Sequence, residues 1–255
     1  MNFNKQNIHA RDEKISFEPI EHVYTVNGKQ YQSVTTFIAE FFPQFDAQYW
    51  SAVKARKLGC TQEKLLAEWK RKGEAASQQG VRLHHNIESY LLGNEWEEEG
   101  AFPLFLKFHR DYSTIAPYRT EWTIYDEEHR IAGTIDLLEQ HDGCFNMYDW
   151  KCSTKLIRNG EVQKNNFYGE KALSPIEHLD NTSYWHYALQ QSLYRYILER
   201  YYDIRIENCH LVVLHPDYSD YYLIRLPYLQ TEVYSMLNKR AAELLQTEIV
   251  GYGER

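Results

Sequence analysis

Three features of the sequence predict an α/β fold with a mixed central β-sheet flanked by helices, extended at its N-terminus by a hairpin and a helical region. First, three short segments with strand periodicity, joined by polar turns, stand mid-chain at residues 121–125, 130–138 and 145–152. Second, a strong helical segment and two further strand segments follow them. Third, long helical segments precede them, and helix, three strands, helix and strand in this order make a sheet that helices cover. With 255 residues, of which 43% are hydrophobic, the chain can bury one large core. A single domain over residues 1–255 is expected, with the hairpin and helical region in 1–115 and the core sheet and its helices in 116–255.

The elements follow in order. Residues 22–26 alternate, Asn27-Gly28 supplies the positive φ angles of a tight turn, and residues 29–33 return as the second arm of a hairpin. Ser33, Thr35 and Thr36 can cap a helix beginning near Phe37. Residues 47–92 read as helical, with interruptions at Gly59 and near Gly73 and an end at Gly93, before an acidic loop at 95–100. A further helix is expected over 103–112. The three strands come next, turning at 126–129 and at Asp142-Gly143. A long polar connection, 154–181, leads to a helix over 183–200 in which Leu189, Leu193 and Ile197 recur every four residues. Strands at 209–214 and 221–226 and a closing helix at 229–245 complete the chain. No internal repeat, flexible linker or low-complexity tail is evident.

Composition narrows the function classes. Lys and Arg total 28 against 36 Asp and Glu, a formal charge of −8, which argues against coating nucleic acid by bulk charge but not against a local basic groove. The four cysteines, Cys60, Cys144, Cys152 and Cys209, form no pair with zinc-site spacing and read as reduced thiols. The N-terminus lacks the apolar centre of a secretory signal, and nowhere do roughly 18 apolar residues run together. A soluble, cytoplasmic protein without a membrane partner is expected. The 21 tyrosines are assigned mainly to packing.

The chemistry concentrates in the strands. An acidic residue two before a lysine occurs three times, at Asp12/Lys14, Glu68/Lys70 and Asp149/Lys151. Only the last pair lies in a strand, where residues two apart share a face. With Asp142-Gly143 as a two-residue hairpin loop, His141 pairs with Cys144 and Asp136 falls directly across from Asp149. Like charges facing each other in a sheet repel, so either a cation binds between them or one carboxylate is protonated, and the cation is expected. Carboxylate oxygens with water suit Mg²⁺ or Mn²⁺. A four-residue turn at 126–129 would pair Glu121 with Thr134, diagonally beside Asp136, as a metal contact or a structural residue.

At this point the chain resembles the PD-(D/E)XK nuclease superfamily, in its RecB-like branch that includes phage-type exonucleases. Gly80-Val81-Arg82-Leu83-His84-His85-Asn86-Ile87-Glu88 is similar to the branch's histidine helix. Ala132-Gly133-Thr134-Ile135-Asp136-Leu137-Leu138 is similar to its GxxD strand, Tyr148-Asp149-Trp150-Lys151 to its DxK strand, and Gln190-Gln191-Ser192-Leu193-Tyr194 to its QxxxY helix. The resemblance implies a restriction-endonuclease-like αβββαβ core and a metal-dependent deoxyribonuclease. It implies that His84, Asp136, Asp149 and the main-chain carbonyl of Trp150 ligate the metal, and that Lys151 positions or activates the attacking water. Gln190 and Tyr194, neighbours on one helical face, would support the site or the nearby phosphate.

The residues agree for His84, which borders the apolar stripe of Leu83, Ile87 and Leu91 and so points inward, whereas His85 falls off it. Relatives with an iron–sulfur cluster use flanking cysteines that this chain lacks, so no such cluster is expected. The implied substrate is DNA, single-stranded or with free ends, cut by an exonuclease with little sequence preference. A structure-specific endonuclease and a nuclease-fold module that binds without cutting are the alternatives. The 154–181 connection departs from the family pattern, and its Lys155, Arg158 and Lys164 offer phosphate contacts.

Overall fold

In the computed structural model, which describes residues 2–253, eight strands form one mixed sheet between helices on both faces. A one-turn helix, α1 (Phe3–Gln6), comes first, followed by β1 (Ile15–Glu18), β2 (Val23–Val26) and β3 (Lys29–Ser33) in antiparallel order. The β2–β3 turn is the expected one, with Asn27 at φ 49° and Gly28 at φ 76°. β1 was not expected from the sequence; it pairs Ile15 with Val26 and Phe17 with Tyr24. Ser33 caps α2 (Val34–Ala39), its Oγ accepting from the Thr36 N–H at 3.1 Å. The helix therefore starts three residues before Phe37, with Thr35 and Thr36 inside its first turn.

α3 (Ala47–Leu58) ends at left-handed Gly59, and α4 (Gln62–Leu92) ends at left-handed Gly93, as expected. Gly73, however, does not interrupt α4, which runs unbroken for 31 residues. A helical glycine costs about 1 kcal/mol relative to alanine. Here the Glu68/Lys72 pair precedes it, the Lys70/Glu74 pair spans it, and Leu65, Leu83 and Ile87 anchor the helix on either side. α5 (Phe102–Asp111) completes the N-terminal helices.

The sheet runs β1-β2-β3, then β5 (Ile131–His141), β6 (Cys144–Lys151), β9 (Ile206–Val213) and β10 (Tyr222–Leu226), with β4 (Pro117–Asp126) paired to the other edge of β5. β6 and β9 pair in parallel through the crossover helix α6 (Ser183–Tyr201), and α7 (Gln230–Gly253) closes the fold. The small hairpin β7 (Ile157–Arg158) and β8 (Glu161–Val162) stands within the long polar connection. Its signal was in the sequence, since Asn159 and Gly160 take the φ angles, 53° and 80°, of a two-residue hairpin turn.

Two apolar clusters sandwich the sheet. α2, α6 and α7 cover one face through Phe37, Leu189, Leu193 and Val233, against Ile135, Met147 and Leu211. α4 and α5 cover the other through Ile87, Phe105 and Phe108, against Leu137, Trp150 and Val212. The free edge of β4 is blocked by side chains: the Asn4 carboxamide donates to the Thr120 carbonyl at 3.1 Å and accepts from its N–H at 2.9 Å. Among the described residues no helix is long and apolar enough to cross a membrane.

Candidate metal centre and cleft

β5 carries β4 along one edge; β3 and β6 share the other. Ala132 pairs with both Tyr125 of β4 and Ser33 of β3, and Leu137 pairs with both Thr120 of β4 and Tyr148 of β6. β3 reaches only Ala132 and β6 only Leu137, so residues 133–136 of that edge have no strand partner. The expected β5–β6 register, His141 with Cys144, holds as far as Leu137 with Tyr148, and then the strands part. Asp136 and Asp149 therefore do not form the facing pair read from the sequence. Instead, Asp136 Oδ2 accepts the Trp150 N–H at 2.8 Å, standing in for the missing strand carbonyl.

The β4–β5 register also differs from expectation. Thr123, not Glu121, pairs with Thr134, because the turn residues are 127–130 and left-handed Arg130 closes the loop. Asp126 stays in the strand and ties the turn by accepting the His129 N–H. The two-residue slip brings Glu121 opposite Asp136, between the pairs Thr120/Leu137 and Trp122/Ile135. Glu121 is left-handed, φ 47°, a strained conformation for a non-glycine residue. Side-chain alternation breaks there, since Ile135 packs with α6 while Leu137 packs with α5.

His84, Glu121 and Asp136 converge as a group whose ligand-type atoms lie within 4.8 Å of one another. His84 Nδ1 is 3.4 Å from Glu121 Oε1 and 3.6 Å from Asp136 Oδ2, and His84 Nε2 lies 3.0 Å from the Trp150 carbonyl. A carbonyl only accepts, so Nε2 carries a proton and donates to it. In the neutral ring the Nδ1 lone pair then points at two carboxylates. That arrangement needs a proton on Nδ1 or a cation in front of it, and two carboxylates with one imidazole nitrogen suit a hard or borderline divalent ion such as Mg²⁺ or Mn²⁺. Burial alone would lower the His84 pKa, but Asp136 and Glu121 hold it raised, at about 9. The Asp136 pKa is also raised, by burial first and by the Glu121 charge as well.

Asp149 lies beside this group rather than within it. Its Oδ2 is 2.7 Å from Lys151 Nζ, and its Oδ1 accepts from Gln191 Nε2 at 3.1 Å. Burial raises its pKa to about 6, aided by Asp136 and opposed by Lys151. Burial would lower the Lys151 pKa, but Asp149 and Asp136 hold it well above the ordinary lysine value. The Tyr187 ring stands 4.7 Å from Lys151 Nζ. The other two acidic-x-Lys pairs are structural: Glu68 pairs with Lys72, and Asp12 with Arg119 and the Trp122 indole N–H.

Gln190 and Tyr194 share a helical face, and Gln190 Nε2 donates to the Tyr194 hydroxyl at 3.2 Å. The Tyr194 ring fills the space over Gly133, where a Cβ would come within 2.4 Å of its Cε1. The GxxD glycine and the QxxxY tyrosine are thus two halves of one contact. Gln191, one position on, was missed by the sequence reading, although the doubled glutamine was its signal. His84, Glu121, Asp136, Lys151, Gln190 and Tyr194 border one open cleft of about 540 Å³. Asp149 and Gln191 stand behind Lys151, and exposed His85 lines the cleft outside the convergent group. Phe17, His22 and Tyr24 of the N-terminal hairpin form its far wall, Phe17 stacked on Tyr24 at 4.5 Å.

No family model matches the chain, and none of the curated proteins matches it. Among solved structures, that of SSO0001 is 16% identical with a TM-score of 0.35, covering 83% of this chain and 74% of that one. The crystal structure of a putative exonuclease from Eubacterium rectale is 12% identical with a TM-score of 0.38, covering 88% of this chain and 82% of that one. At these values neither likeness bears on what this chain does.

Proposed function

We propose that this protein is a metal-dependent nuclease of the PD-(D/E)XK type that hydrolyses DNA phosphodiester bonds. We further propose that it works from strand ends as an exonuclease with little sequence preference. The observation that carries this reading is the convergence of His84, Glu121 and Asp136 beside the Asp149/Lys151 ion pair, on one open cleft. Outward-facing carboxylates are common without function; a buried and a half-buried carboxylate converging on one imidazole nitrogen are not.

In this reading His84, Asp136 and Glu121 would hold Mg²⁺ or Mn²⁺, with Asp149 and the Trp150 carbonyl next to them. When bound, such an ion polarises a phosphate oxygen and lowers the pKa of water. The chain's own groups do the rest. Asp149 keeps Lys151 charged and fixed, Gln191 fixes Asp149, and the Tyr187 ring limits where the ammonium can swing. Lys151 then steadies the attacking oxygen or the charge developing on the phosphate. The Trp150 N–H and carbonyl orient Asp136 and His84 from one residue.

The test is incubation of the protein with end-labelled single-stranded, duplex and covalently closed circular DNA, in Mg²⁺, Mn²⁺ or EDTA. Cleavage of linear strands that EDTA abolishes, and that Lys151→Ala and Asp136→Asn remove without unfolding, is the expected result. Undiminished cleavage in EDTA would overturn the mechanism. Circles cut as fast as linear strands would replace the exonuclease by an endonuclease, and tight binding with no cleavage would leave a binding module.

A further inference from the structure

The connection between β6 and α6 forms a second concavity that the site described above does not use. Its base is held in place: Leu156 and Ile157 are buried, the Gln163 N–H donates to the Leu156 carbonyl at 2.8 Å, and the Trp185 indole donates to the Lys164 carbonyl at 2.9 Å. The Asn166 carboxamide ties the far side by donating to the Asn181 carbonyl at 2.8 Å. Between the β7–β8 hairpin and the start of α6 lies a groove of about 550 Å³.

In a chain of formal charge −8, no Asp or Glu lines this groove, while Lys155 and Arg158 do. Neither makes an ion pair with a carboxylate among the described residues. Of the nearby acids, Asp180 accepts the Asn166 N–H and pairs with Lys171, Glu170 accepts from Asn181, and Glu161, across the hairpin from Arg158, lies outside the groove lining. Phe167 and Tyr168 stand at the rim, 75% and 93% exposed, and the Arg158 guanidinium lies 4.7 Å from the Phe167 ring centroid. Exposed rings beside unpaired cations on a pre-ordered loop form a stacking and phosphate-binding surface.

The groove also adjoins the cleft. Thr154, which lines it, follows Lys151 by three residues, at most about 11 Å of extended chain. Ser183, on its other wall, precedes by one helical turn the Tyr187 that stands over Lys151. We infer that this groove is a single-stranded DNA subsite, in which Lys155 and Arg158 contact phosphates and Phe167 and Tyr168 stack on bases next to the bond being cut. The inference takes its ligand from the nuclease reading. A single strand is specified because a duplex keeps its base faces stacked inward and offers none to Tyr168.

Fluorescence anisotropy on the full chain tests this, with a labelled oligothymidylate and a matched duplex in EDTA, so that binding is read without cleavage. The single strand is expected to bind more tightly than the duplex. Phe167→Ala/Tyr168→Ala should weaken strand binding about tenfold or more. Lys155→Gln/Arg158→Gln should reduce the slope of log Kd against log salt by about 1.4, for two phosphate contacts. Tyr234→Ala, a half-exposed ring on α7 lining a different pocket, should change nothing. The four substituted side chains are solvent-exposed, so the variants should melt as the wild type does. Wild-type affinity in both double variants, or equal binding of the duplex, overturns the subsite. A wild type that binds as expected yet cleaves nothing in Mn²⁺ keeps the subsite and overturns the nuclease reading. Cleavage with affinity indifferent to these substitutions does the reverse.

Discussion

Gly133→Ala isolates the contact that joins the GxxD strand to the QxxxY helix. The new Cβ would lie 2.4 Å from Tyr194 Cε1 and 2.7 Å from its hydroxyl. Carbon atoms in ordinary contact are about 3.5–4.0 Å apart, so the overlap exceeds about 1 Å. The ring has little room to yield, because Tyr194 is buried and its hydroxyl is held by Gln190. Helix α6 must shift instead. Overpacking of this kind costs about 1–3 kcal/mol, and the lower chain entropy of alanine returns about 0.4–1 kcal/mol. The net loss is about 1–2 kcal/mol, or roughly 2–8 °C in Tm for a chain of this size. Since α6 also carries Gln191 and Tyr187, both touching the Asp149/Lys151 pair, cleavage should slow with it. Thermal and urea melts of Gly133→Ala, Tyr194→Leu and the double variant read the coupling. Tyr194→Leu should cost less in the alanine background, by about 1 kcal/mol or more. A Gly133→Ala protein melting within a degree of the wild type, or strictly additive losses, would refute the contact.

Three further outcomes are expected. Gln191→Leu should slow single-turnover cleavage about 10–100-fold with the fold retained, by removing a hydrogen bond from a buried carboxylate, whereas Gln190→Leu should do less; equal effects of the two would remove Gln191 from the site. In the metal-free protein the raised His84 pKa, about 9, means that the ring is charged at pH 8, so Mn²⁺ binding should release about one proton and tighten as pH rises towards 9. Titration calorimetry in two buffers of different ionisation enthalpy measures that number, and a value near zero would exclude Nδ1 as a ligand. His186 and His210 have pKa values lowered to about 4 by burial, so the stability they contribute is present above about 6.5 and lost as pH falls towards 4. Tm should fall over that window less steeply in a His186→Gln/His210→Gln protein, and parallel curves would count against the assignment.

How much of this was legible depended on the range over which each signal acts. Asn27-Gly28 and Asp142-Gly143 are two-residue turns whose φ requirements name themselves, so both hairpins were placed correctly. The turn after β4 has four residues and no such dipeptide. Its register was read two residues off, and with it the position of Glu121. Asn159-Gly160 carries the same turn signal as the other two, but the strands it joins are only two residues each, too short to show a strand period. The continuity of α4 through Gly73 depended on anchors outside the local pattern.

Local sequence, through strand and helix periods and turn dipeptides, determined that an α/β sheet would carry Asp136, Asp149 and Lys151 on neighbouring strands with His84 on an inward helical face. Only the tertiary structure decided which of them meet. β3 joins β5 in parallel, β6 leaves it at Leu137, and the intervening edge takes its hydrogen bond from a side chain, so Asp136 turns to His84 and Glu121 while Asp149 turns to Lys151 and Gln191. Strand separation is set by what packs on either side of the sheet, a balance of contacts far apart in the chain. No window of sequence around either aspartate contains it.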